Sequence, residues 1–261
     1  MAALPALLAL SACTLQFGLG VEAKDTWSRS YKVTPAATLE LREPNGTIHV
    51  TGGTGDQIEV SATKVAKGPN DQAAKAALAD VKINESASPD HVMLDSSGPS
   101  GRLLSRVSHH VDYDIKMPRT GQVVIKATNG EILVQSIDGF VKIEAVNGDI
   151  QARGLSAGAD VSAINGRVQL EFTSVGDRGI RCKTTNGQII VSVPDDAKAT
   201  IAAHVVNGAV ETENLPVQKS ESSHRSLNAT IGGGGPEIRL DTTNGEIRLV
   251  GKPGNHEATK K

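Results

Sequence analysis

Three acidic residues recur one place after a turn glycine: Glu131, Asp149 and Glu246. Two carboxyls roughly 5–10 Å apart can hydrolyse a glycosidic bond, one as acid and the other as base or nucleophile. Glu131 and Asp149 are 18 residues apart. If that interval is one coil of a stacked β array, the two lie on neighbouring strands about 4.8 Å apart. The same column continues through Arg167, Gln188 and Ala209, the make-up of a solvated corner. Distance is the single criterion met, so no catalytic residues are assigned.

Other reactive types fare similarly. His109-His110 sits in a Ser/Arg-rich stretch without a Cys or carboxylate at ligand spacing, which reads as a surface pair. The run Gly232 to Gly235 lacks the following Lys-Ser/Thr of a phosphate loop, and the glycine-rich calcium nonapeptide of β-rolls is absent. No metal or cofactor is expected. Cys182 falls in register with apolar positions and reads as a buried small hydrophobe. Sugars stack on aromatic rings, yet the repeats hold just Phe140 and Phe172, so a broad polar or strand-edge contact fits the composition better.

The elements that would position these residues come from one recurring phrase, Asn-Gly followed by alternating apolar residues. It stands at Asn129-Gly130, Asn147-Gly148, Asn165-Gly166, Asn186-Gly187, Asn207-Gly208 and Asn244-Gly245, with an early copy at Asn45-Gly46. The later copies are 18, 18, 21, 21 and 37 residues apart; the last interval reads as two periods with one unsigned turn. A fixed period near twenty marks a solenoid or array, and Asn-Gly is a turn signal because both residues tolerate positive φ. Two and four residues after each glycine stand Ile132 and Val134, Ile150 and Ala152, Val168 and Leu170, Ile189 and Val191, Val210 and Thr212, Ile247 and Leu249. That is a strand with one buried face. Five and three residues before each glycine the pattern repeats, as at Ile125 and Ala127, so a second strand leads into each turn. The Asn side chains form a column able to hydrogen-bond along the stack. Independent hairpins in a sandwich are the alternative architecture.

Net charge is −2, which provides no electrostatic reason to expect nucleic acid as a partner. Residues 1–23 read as a signal peptide. Within it Leu10-Ser11-Ala12-Cys13 has the form of a lipobox, making Cys13 a candidate lipidation site; the competing cut follows Val21-Glu22-Ala23. Residues 24–35 read as a linker with a first strand, 36–118 as an irregular part of the repeat domain, 119–250 as regular coils, and 251–261 as a disordered tail. Asp71 to Val81 is the one convincing helix, capped by Asn70 or Asp71, and covers a sheet edge or the end of the stack. Ser96 to Arg106 is a flexible excursion on composition, and Val111 to Pro118 is an alternating strand.

Asp112-Tyr113-Asp114-Ile115-Lys116-Met117-Pro118, the serial Asn-Gly-Glu/Asp-Ile turns and the closing Gly232 to Leu240 segment resemble the bacterial DUF4097 family over roughly residues 36–250. That family is described as candidate adhesins with β-strand repeats, similar to autotransporter adhesin heads. The resemblance implies a right-handed β-solenoid-like fold in the cell envelope and carries no catalytic residues. The expectation is an all-β, exported, non-enzymatic adhesin or structural module. Its partner would be an unidentified envelope protein or glycan, with a membrane anchor if Cys13 is lipidated. A polysaccharide-acting β-helix enzyme and an envelope-stress accessory protein are the alternatives.

Overall fold

The computed structural model describes residues 20–98 and 107–253; Cys13 and the lipobox lie outside them. The repeating unit is a lead-in strand, an Asn-Gly corner and a lead-out strand. Lead-in strands β8 (Gln122–Asn129), β10 (Val141–Asn147), β12 (Ala159–Asn165) and β14 (Ile180–Asn186) pair in parallel, each one level above the last. Lead-out strands β9 (Ile132–Gln135), β11 (Ile150–Leu155), β13 (Val168–Phe172) and β15 (Ile189–Pro194) do the same on a second face. Register places Asn129, Asn147, Asn165 and Asn186 directly over one another.

Alternation sets what is inside. Ile125, Ile143, Val161 and Cys182 form one buried column, Ile132, Ile150, Val168 and Ile189 another, all at 0% exposure. Each such side chain withdrawn from water stabilises the fold by about 1.5–3 kcal/mol. The column three residues before the glycine holds Ala127, Ala145 and Ala163 in the first regular coils, with Glu43, Thr184, Thr242 and Val205 at the other levels, all buried.

The corners themselves differ from the expectation. Glycine takes positive φ at the corners of Gly46, Gly130, Gly148 (+134°), Gly166, Gly208 and Gly245, though not at Gly187; among described non-glycine residues this conformation occurs at Ser136 and Asn214 and at no corner asparagine. Asparagine is used for its side chain. Nδ2 of each donates to Oδ1 of the next, at 2.7–2.9 Å, through the order Asn207, Asn244, Asn186, Asn165, Asn147, Asn129, Asn45. Glycine is required for a second reason, close approach: a Cβ at Gly148 would lie 1.8 Å from the Gly130 carbonyl oxygen.

That order also corrects the 37-residue interval, which hides no unsigned turn. β16 (Ala199–Glu213) runs straight through its corner as the outermost level. A hairpin of β17 (Gln218–Ser222) and β18 (Ser226–Ile231) folds back antiparallel on its lead-in half. The chain then returns as β19 (Glu237–Lys252) to fill the level between β14–β15 and β16. Because β19 continues to Lys252, paired with Pro194, the ordered core extends past residue 250 into the expected tail.

At the other end, β2 (Thr38–Asn45) and β3 (Ile48–Gly53) make a full coil under β8 and β9, so regular stacking begins well before residue 119. β4 (Gln57–Gly68) leads into α1 (Asp71–Asp80), then the hairpin β5 (Lys82–Ser88) and β6 (His91–Ser97). β7 (Ser108–Pro118) lies between β3 and β4. Asn70 caps α1, its Oδ1 accepting the Ala73 N–H at 2.8 Å. Ala74 and Ala77 are the helix's buried residues, and α1 packs on β4 and β1 (Val21–Lys32).

Segment 24–35 contains the expected first strand but no separate linker. It lies largely within β1, a twelve-residue strand in unbroken antiparallel register with β4, with Trp27 and Tyr31 packed on the core. Ser96, assigned to the flexible excursion, is instead a buried residue of β6 whose hydroxyl meets the Tyr113 hydroxyl at 2.6 Å. Both departures have one cause: polar composition says what reaches water, and strand pairing is made by the backbone regardless.

Candidate functional site

The outer face of β1, β4, β7 and β3 carries a broad recess. It is an open cavity of about 580 Å³ lined by Ser28, Arg29, Ser30, Glu59, Val60, Ser61, Asp114 and Lys116. A second recess of about 350 Å³ shares Glu59 and Lys116 and extends along Thr51 to Gln57 and Met117-Pro118. Period-two alternation builds this face: residues opposite the buried Val60, Ala62, Tyr113 and Ile115 point outward. Strand register aligns them in two cross-strand rows. Ser30, Glu59, Lys116 and Thr51 form one; Ser28, Ser61, Asp114 and His49 form the other.

The groups in these rows are hydroxyls, two carboxylates, an ammonium and an imidazole; Arg29, paired with Val60, also lines the recess but belongs to neither row. His49 Nδ1 lies 3.9 Å from Asp114 Oδ2. Arg29 is braced from β5, its Nε donating to Glu85 Oε1 at 3.4 Å, and the Tyr31 hydroxyl donates to the other oxygen of the same carboxylate. Its guanidinium also stands 5.0 Å from the Trp27 ring centroid. The arrangement offers hydrogen-bond donors and acceptors across a rigid sheet, suited to a polar partner. The sequence places a first strand in residues 24–35 but not its pairing with β4, which makes β1 one wall of the recess.

Of the acidic corner residues, Glu131 is exposed, while Asp149 and Glu246 are engaged in hydrogen bonds. Asp149 Oδ1 accepts the Arg167 N–H at 2.8 Å. Glu246 accepts from Arg248 at 2.9 Å and from Gln188 Nε2 at 2.7 Å, and the Arg248 guanidinium, with Gln188 assisting, holds its carboxyl below the usual carboxylate range. Gln188 is thus a half-buried bridging donor. His110 Nε2 lies 3.5 Å from Asp112 Oδ2, while burial, then the neighbouring His110, depresses the basicity of His109. Among the described residues no three His, Cys, Asp or Glu side chains gather so as to hold a metal ion. Cys182 is buried and free, its thiol pushed far up by desolvation. Phe172 is buried; Phe140 carries the Arg178 guanidinium 3.5 Å from its ring centroid, at the rim of a recess of about 90 Å³.

One titratable group escaped the sequence reading. Glu43, at 2% exposure, stands three residues before Gly46, directly over Ala127 in the column that also holds Ala145, Ala163, Thr184, Thr242 and Val205. Its Oε1 accepts the Asn45 N–H at 2.9 Å, whereas Oε2 is buried and closes no hydrogen bond. Burial pushes its carboxyl up to about 7; the Ser96 hydroxyl and the Asn45 and Val111 amides temper this, and Asp112 adds repulsion. The signal was present, since counting back from Gly46 puts Glu43 inside.

A family model described as Toastrack DUF4097 matches residues 34–250. Among solved structures, a candidate cell adhesion protein from Clostridium sporogenes is 12% identical, with a TM-score of 0.43, over 87% of this chain and 100% of its own. A candidate adhesin from Bacteroides fragilis is 14% identical, with a TM-score of 0.43, over 87% and 98%. Another from Parabacteroides distasonis is 11% identical, with a TM-score of 0.31, over 86% and 97%. No curated protein matches.

Proposed function

The chain belongs to the Toastrack DUF4097 family, and from that premise we propose that it is a non-enzymatic cell-envelope module whose polar outer face binds a protein or glycan partner. The observation that carries the reading is the pair of adjoining recesses joined at Glu59 and Lys116. Their two rows of hydroxyl and charged groups are held by a rigid sheet, and specificity for a polar ligand needs donors and acceptors fixed in place. Adhesive or structural use both follow from such a face.

The proposal extends to the right-handed sense of the coil, which agrees with the handedness of parallel crossover connections, and to export with Cys13 as the anchoring residue. No helix of the described residues is long and apolar enough to cross a membrane, so a lipid on Cys13 would supply the attachment. Mass spectrometry of the mature N-terminus tests this: a lipid-modified Cys13 supports tethering, and an unprocessed Met1 refutes export.

For the binding face, immobilised protein is offered peptidoglycan sacculi, lipopolysaccharide and outer-membrane vesicles. Retention of one probe that is lost in Lys116→Glu, with the melting temperature unchanged, is the expected result. Retention of none, retention unaffected by the substitution, or release of sugar fragments from a probe would each overturn the reading.

A further inference from the structure

We infer that Asn207-Gly208, at the open end of the asparagine ladder, is a site of self-modification, converting spontaneously to aspartate or isoaspartate while the six other Asn-Gly corners stay intact. The reaction begins when the backbone nitrogen after an asparagine attacks the side-chain Cγ. A C–N bond forms, the Cγ–Nδ2 bond breaks, and ammonia leaves with the proton lost from the backbone nitrogen. Water then opens the cyclic imide at either carbonyl. Glycine after the asparagine favours closure because no Cβ obstructs it. The step needs a backbone N–H free of other acceptors and a side-chain amide free to turn.

Inside the stack neither condition holds, and at Asn45, the other end of the ladder, whose Oδ1 accepts from Asn129, the first condition fails because the Gly46 N–H is taken. The N–H groups of Gly46, Gly130, Gly148, Gly166 and Gly187 each donate to the carbonyl of the asparagine one level on, at 2.9–3.1 Å. Gly245 faces Gly208 in strand register, so its N–H has a partner level as well. Asn129, Asn147, Asn165, Asn186 and Asn244 are held at both ends of their amide groups, donating to one neighbour and accepting from the other.

Asn207 differs on each count. Its Nδ2 donates to Asn244 Oδ1 at 2.8 Å, but among the described residues no further level uses its Oδ1. Pairing of β18 with β16 stops at His204, leaving the outer side of the corner without a strand. The two backbone bonds that reach across, from Val205 N–H to Arg225 O at 2.8 Å and from Val210 N–H to His224 O at 3.0 Å, flank Gly208 and miss it. Gly208 is exposed where the other six corner glycines are partly buried. The repeat geometry that sends each inner glycine N–H to the next level sends this one off the end of the stack. Conversion removes the last donor of the ladder and places a carboxylate on the strand that carries Glu211 and Glu213.

Seven chemically equal dipeptides in one chain provide their own controls. The folded protein is incubated at mildly alkaline pH in isotope-labelled water beside a urea-unfolded sample, and both are peptide-mapped by mass spectrometry. Labelled acid at Asn207 ahead of every other corner in the folded sample, with all seven converting comparably in urea, is the expected result. Conversion of an inner corner first, or of Asn207 no faster than the rest in the folded sample, overturns the inference.

Discussion

Replacing Glu43 by glutamine should flatten the dependence of stability on pH between about 4.5 and 7. In the unfolded chain this carboxyl ionises near its ordinary value of 4.5, whereas burial holds it protonated up to about 7 in the fold. A raised folded value means the contribution is fully present below the unfolded value and is lost as pH rises through the folded one. At about 1.36 kcal/mol per unit, the wild-type chain loses roughly 3 kcal/mol from this group between pH 4.5 and pH 8. Glutamine keeps the shape and an acceptor for the Asn45 N–H without the charge. Urea denaturation of both proteins at several pH values measures it. The wild-type minus Glu43→Gln difference should swing by roughly 3 kcal/mol toward the variant as pH rises, which also cancels the other titrating groups. A difference that stays constant across that range would refute the reasoning, because it would mean that Glu43 is ionised and solvated in the fold.

Ile150→Asp places an unpaired carboxylate at a wholly buried position between levels, and the cost of burying a charge should unfold the array in a thermal melt. Asn147→Ala removes two ladder hydrogen bonds and should cost about 1–3 kcal/mol by denaturant titration. A loss that small, against the collapse expected of Ile150→Asp, separates ladder from core. Gly148→Ala should be far worse than its size implies, because its Cβ meets backbone that cannot yield; loss of soluble protein or a large fall in melting temperature is the readout. Gln188→Glu sets a second carboxylate against Glu246 and removes a donor, so its destabilisation should exceed the 0.5 kcal/mol or so typical of an exposed change.

Much of this architecture is legible before folding because a strand's side chains alternate. Once Ile132, Ile150, Val168 and Ile189 are aligned on their glycines, every other position in the coil is assigned to inside or outside. The helix at Asp71 is legible for a similar local reason, an Asn70 cap followed by alanines on one face. Local signals stop where identity between repeats becomes ambiguity. Any Asn-Gly strand stacks on any other, so nothing in the phrase tells that β19 inserts between β14–β15 and β16; the hairpin of β17 and β18 on the end of β16 decides it. The full length of β1 and its partner were hidden because an edge strand wet on most of its surface has little apolar alternation to betray it, and its backbone register with β4 forms in three dimensions alone. The recessed outer face follows from that pairing, since Ser28, Glu59 and Asp114 are distant in the chain and become neighbours across strands. Asparagine types were thus set by the sequence, and their order in the ladder by the tertiary fold: side-chain chemistry is a local property, whereas adjacency between equivalent strands belongs to the whole chain.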